Sequence, residues 1–188
     1  MTSKPSSRSD VSALILAGGK ATRLGGADKL ALVIDGRTIF ERLRDVLAPR
    51  VAELIVASPR ELPGVRSVAD PVADAGPLAG IAAGLEACAT EWLLVVAGDM
   101  PHLTGAVVDA ILDRADAAHD AVGIRIGGLL EPLVCALRVT IFQPIVARRL
   151  AAGALKAARL LEDEPVRIAW LIDPELGAFF NVNAPEDL

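Results

Sequence analysis

WLLVVAGD, residues 92–99, is the stretch on which the fold turns. Its six leading residues are all apolar and lack the alternation of a half-exposed strand. That pattern describes a central parallel strand with helices on both faces of its sheet. The run closes with Gly98 and Asp99, which sets a carboxylate at the strand's carboxyl end. In open α/β sheets ligands bind outside that edge.

A second apolar run near the start has the same design. In LILAGGKATRLGGADK, residues 14–29, a buried strand breaks at once into glycine and charge, so its loop is expected to face the same crevice as Asp99. Further strands are expected over 12–17, 30–34, 53–57, 65–68, 121–126, 133–137 and 166–172. Between them lie helical patterns. Thr38 and Glu41 have capping-box spacing at the head of a helix over 38–48, which Pro49 stops. Pro77 suits the first turn of a second helix whose apolar face is Leu78, Ile81, Leu85 and Cys88. Others are expected over 104–115, 139–150 and 155–161. This alternation predicts an α/β domain with a mostly parallel sheet and helices on both faces.

Composition bounds the function. At 188 residues and 53% apolar content the chain suits one core. The polar Ser-rich start is read as a disordered leader over 1–10, ahead of one domain over 11–188. It has no secretory core, and no apolar run approaches the roughly 20 residues of a membrane span, so no membrane association and a cytoplasmic location are expected. A net charge of −5 with dispersed cations argues against nucleic acid as a partner. Cys88 and Cys135 lack metal-spaced partners and read as buried thiols.

Two familiar phosphate motifs fail in the 14–29 stretch. A P-loop needs glycine at 14 and Ser or Thr at 21, where Leu14 and Ala21 stand. A dinucleotide fingerprint from Gly18 needs glycines at 20 and 23, which are Lys20 and Arg23, so a Rossmann oxidoreductase is disfavoured. What remains is a longer loop, with Gly18 and Gly19 leaving the strand, Arg23 in its middle and Lys29 at its end. Such a loop brings backbone N–H groups and compensating charge to a polyphosphate, and it equally describes a surface turn with solvated cations.

The set LAGG, RLGGADK, DPVADAGPLAGIAAGL, VVAGDMPHL, EPLVCAL and FFNVNAPEDL, in that order, resembles the MobA-type nucleotidyltransferases, the molybdenum cofactor guanylyltransferases. The resemblance implies a single Rossmann-like domain that joins GMP from GTP to molybdenum-bound molybdopterin, with Mg²⁺ required and pyrophosphate released. It implies that Leu16, Ala17, Gly18 and Gly19 border the nucleotide, that Lys29 touches its phosphates with Arg23 beside it, that Asp70 helps hold it and that Asp99 binds the metal. Gly76, Gly80, Asn181 and Asn183 would stand at the crevice, the two asparagines toward the acceptor. Molybdoenzymes or their chaperones would receive the product. The chain departs from the pattern at Ser58 and Pro59, where a relative offers asparagine.

Each residue also has a plainer reading. Asp99 suits a cap ahead of Pro101, Asp70 a turn before Pro71, and Asn183 a helix start with Glu186 three residues on. His102 and His119 suggest no nucleophilic relay. Two rivals remain: a non-catalytic nucleotide-binding regulatory domain, and the cytidylyltransferase branch, which the resemblance gives LAAG where this chain has LAGG at 16–19. A second glycine leaves room for the larger purine.

Overall fold

The computed structural model describes residues 7–17, 29–58, 60–69 and 75–179. In chain order its elements are β1 (Arg8–Leu16), β2 (Val33–Ile34), β3 (Arg37–Thr38), α1 (Ile39–Leu47), β4 (Val51–Ala57), β5 (Arg66–Val68), α2 (Pro77–Ala87) and β6 (Trp92–Ala97). They continue with α3 (Gly105–Leu112), β7 (Ala121–Ile126), β8 (Leu129–Arg138), α4 (Val139–Ala151), α5 (Arg159–Glu162) and β9 (Ile168–Ile172). Seven strands form one sheet in the order β5-β4-β1-β6-β8-β7-β9. Every neighbouring pair is parallel except the two that β8 makes, with β6 and with β7.

Strand alternation builds a core on each face. From β1, Ala13 and Ile15 pack with Leu43 and Leu47 of α1 and Val107 and Ile111 of α3. Leu14 and Leu16 point the other way, into Leu78, Ile81 and Leu85 of α2 and Phe142 and Val146 of α4. β6 divides likewise, and all six of its residues are buried. The α/β reading with helices on both faces therefore holds. One detail is corrected: β6 is parallel to β1 alone, because the neighbour on its other side is the reversed strand β8.

α1 starts where its spacing predicts. The Thr38 hydroxyl accepts the Glu41 N–H at 3.1 Å while the Glu41 carboxylate accepts the Thr38 N–H at 2.8 Å, two donors that the helix itself leaves unsatisfied. The strand expected over 30–34 becomes a 3-10 turn at Lys29–Ala31 and a separate β2–β3 hairpin. Asp35 and Gly36 form its two-residue turn, both with positive φ, which matches the twist of paired strands.

The leader boundary also moves. β1 begins at Arg8, so residues 8–10 belong to the sheet. The Arg8 guanidinium donates to the carbonyls of Leu112 and Ala115 at 2.6 and 3.0 Å and satisfies the end of α3. Over 155–161 only the single turn of α5 is helical, since a helix this short depends on packing and buries only Leu160 and Leu161. β8 starts four residues before the expected 133 and runs through Pro132, where its pairing with β7 slips, the irregularity that lets a proline sit inside a sheet. Cys135 is buried, and burial pushes its thiol up to about 12. Cys88 is half-buried rather than enclosed.

Candidate active site

β1 and β6 end side by side, and the backbone knits their ends together. The N–H of Gly98 donates to the Leu16 carbonyl at 3.0 Å, and on the other side of β1 the N–H of Ala17 donates to the carbonyl of Ala57, at the end of β4, at 3.1 Å. A Cβ on Gly98 would lie 2.7 Å from the Leu16 oxygen and 3.0 Å from the Leu30 side chain, so only glycine lets the two ends close. The chain leaves β1 toward β4 on one side and returns to β6 on the other. This is the switch point at which an open sheet leaves a crevice.

A cavity of about 210 Å³ opens there. Leu16 and Ala17 line it from β1, Ala97, Gly98 and Asp99 from the end of β6, Pro77 from the head of α2, and Leu133 from β8. Lys29 completes it. Its ammonium donates to the Asp99 carboxylate at 3.0 Å, and both side chains are 22% exposed. A cation and a carboxylate thus stand together at the sheet's carboxyl edge, beside a helix N-terminus whose dipole favours negative charge. Gly76 is the N-cap of that helix, and among the described residues no side chain caps its first turn. The arrangement suits a ligand that carries phosphate and a metal ion together.

The structure brings Leu16, Ala17, Lys29 and Asp99 to one cavity. Gly76 stands one residue before Pro77 of the lining, and Gly80 is buried within α2. Ser58 follows β4, and there its N–H donates to the Val68 carbonyl and its hydroxyl accepts the Arg60 N–H at 3.1 Å. The hydroxyl thereby serves the local turn. Gly18, Gly19, Arg23, Pro59, Asp70, Asn181 and Asn183 lie outside the described residues. Four lining residues escaped the sequence reading: Pro77, Ala97, Gly98 and Leu133. For Gly98 the signal was its place between an apolar strand and Asp99; Leu133 stands in the stretch EPLVCAL, but it enters the cavity only through the pairing of β8.

The model of the MobA-like NTP transferase domain matches residues 13–168. The chain belongs to the MobA-like nucleotidyltransferase family. A probable molybdenum cofactor guanylyltransferase of Methanosarcina acetivorans is 32% identical over 98% of this chain and 91% of its own length. The molybdenum cofactor guanylyltransferase of Cupriavidus pinatubonensis is 32% identical over 96% of both. Among solved structures, the molybdopterin-guanine dinucleotide biosynthesis protein A of Archaeoglobus fulgidus superposes with a TM-score of 0.75 at 22% identity, covering 94% of each chain. The 2-C-methyl-D-erythritol 4-phosphate cytidylyltransferase of Thermus thermophilus superposes at 0.74 and 22% identity, covering 95% of each chain. This MobA-like chain shares its fold with both.

Among the described residues of this MobA-like chain, no cluster of three metal-ligating side chains occurs and no helix is long and apolar enough to cross a membrane.

Proposed function

We propose that the protein transfers GMP from GTP to molybdenum-bound molybdopterin, forming the guanine dinucleotide cofactor and pyrophosphate. The observation that carries this reading is the meeting of Lys29 and Asp99, at 3.0 Å, over a cavity at the carboxyl ends of β1 and β6 in a MobA-family chain. Family members that match nearly the whole chain bear the guanylyltransferase name.

In this reaction an oxygen of the acceptor's phosphate attacks the α-phosphorus of GTP, and the bond from that phosphorus to the pyrophosphate oxygen breaks. The protein's work is to hold attacker and leaving group in line and to face the developing charge with cations. Lys29 would bind the nucleotide phosphates, with Arg23 adding charge from the loop. Leu16, Ala17, Gly18, Gly19, Gly76 and Gly80 would border the nucleotide with Asp70, and Asn181 and Asn183 the acceptor. No protein nucleophile is required.

Asp99 would hold Mg²⁺. One carboxylate is a fitting donor set, because Mg²⁺ takes hard oxygens, keeps several waters and is commonly bound by one or two carboxylates plus substrate phosphates. When bound, the ion supplies positive charge to the phosphate oxygens. A cytoplasmic location and delivery of the product to molybdoenzymes or their chaperones belong to the same proposal.

The test offers purified protein GTP, CTP, ATP or UTP with Mg²⁺ and metal-loaded or metal-free molybdopterin, and follows pyrophosphate and dinucleotide. Highest kcat/KM with GTP and the metal-loaded acceptor is expected. Preference for CTP would move the protein to the cytidylyltransferase reading, and GTP binding without dinucleotide would make it a regulatory domain.

A further inference from the structure

Glu131 stands beside the cavity on β8, a strand that the reaction as described leaves unused. The paired residues of β6 and β8 end at Val96 opposite Val134. Just past that pair, Ala97, Asp99 and Leu133 line the cavity together, and the Glu131 carboxylate lies against the backbone N–H of Leu133.

The strand is bent to reach this place. Val122 faces Ala136 but Ile124 faces Glu131, so residues 132–135 stand against Gly123 alone. Pro132 offers no N–H to the ladder. The Leu133 N–H turns instead to the Glu131 carboxylate, at 3.4 Å, a contact a neutral amide oxygen would make equally well. Among the described residues no Lys or Arg pairs with that carboxylate. Burial, with a smaller contribution from the negative charge of Asp99, holds the Glu131 carboxyl above the usual carboxylate range.

Beside a site for polyphosphate a further carboxylate repels the substrate, unless a cation stands between them. Among the described residues that line the cavity, Lys29 supplies the positive charge and Asp99 is ion-paired with it. We propose that Glu131 is a positioning residue for the cation that accompanies the nucleotide: its charge, added to that of Asp99, raises the affinity of that end of the cavity for a divalent ion. The inference rests on the reading of Asp99 given above.

Two substitutions separate charge from shape. Glu131→Gln keeps an acceptor for the Leu133 N–H and removes the charge, whereas Glu131→Asp keeps the charge and shortens the reach. Free Mn²⁺ is followed by electron paramagnetic resonance as Mn²⁺ is titrated into each protein with GTP present, at about pH 8 where carboxylates are ionised. Glu131→Gln should weaken Mn²⁺ binding roughly five- to tenfold and Glu131→Asp by less than about twofold, with the gap narrowing at about 0.5 M salt. The half-saturating Mg²⁺ in turnover should rise in parallel for Glu131→Gln, with kcat recovered at saturating Mg²⁺.

Wild-type affinity in Glu131→Gln would overturn the proposal, and so would equal losses in both variants, which would assign Glu131 to the shape of the bulge. If the wild-type protein binds GTP yet no Mn²⁺, the reading of Asp99 itself fails. Thermal midpoints of all three proteins accompany the titrations, and loss of folding in Glu131→Gln leaves Glu131→Asp to decide: a loss of Mn²⁺ affinity beyond about fivefold there contradicts the charge account, and retention supports it.

Discussion

Lys29 and Asp99 are seventy residues apart in the chain and share one hydrogen-bonded ion pair at the site. Both are partly enclosed, so the pair neutralises the cavity mouth when no ligand is present. On the proposed function an incoming nucleotide would draw the ammonium to its own phosphates and leave Asp99 to a metal ion. Lys29→Ala removes a charge-assisted contact worth about 1.5–3 kcal/mol, and kcat/KM for GTP should fall by roughly ten- to a hundredfold with the thermal midpoint little changed. Steady-state kinetics beside a melting curve checks this, and unaltered kinetics would make Lys29 a surface charge. Both residues were legible in the sequence because each closes a recognisable pattern, a glycine loop in one case and an apolar strand in the other. Glu131 was not. It heads the stretch EPLVCAL, but its place at the site depends on which strand lies beside β6.

At the scale of elements, legibility followed from how local the cause is. The capping box of α1 lies within four residues, and its helix starts where the spacing puts it. The direction of β8 comes from the turn at Gly127 and Gly128 that folds it back on β7, and WLLVVA reads the same whichever way its neighbour runs. The close approach of β1 and β6 belongs to this scale as well. In Gly98→Ala the added carbon meets the Leu16 carbonyl, which is backbone and held by pairing on both sides, so the strand ends must part. Overpacking of this kind costs about 1–3 kcal/mol. A lowered thermal midpoint is expected, with a loss of kcat/KM that persists well below that midpoint because Asp99 is carried on the displaced segment. Unchanged melting and kinetics would show that the two ends have slack.

Across the whole molecule, one topological fact places the site: the chain winds outward from β1 through β4 and β5, then crosses back to β6. That winding leaves the carboxyl ends of β1 and β6 open between them, lets the reversed strand β8 wall the opening with Leu133, and aims the head of α2 at it. The same fold serves a cytidylyltransferase, so the architecture supplies a place for nucleotide chemistry and the groups around the cavity choose the reaction. On the proposed function, transfer at the α-phosphorus runs from this cavity directly to a phosphate-bearing acceptor, without a covalent protein intermediate. The measurement that tests it most directly is the fate of a label carried on the α-phosphorus of GTP in a single turnover with metal-loaded molybdopterin. The account predicts that the label passes from GTP to the dinucleotide product, with none on the protein at any time, and that Asp99→Asn abolishes most of that passage. Label trapped on the protein, or full transfer by Asp99→Asn at limiting Mg²⁺, would contradict it.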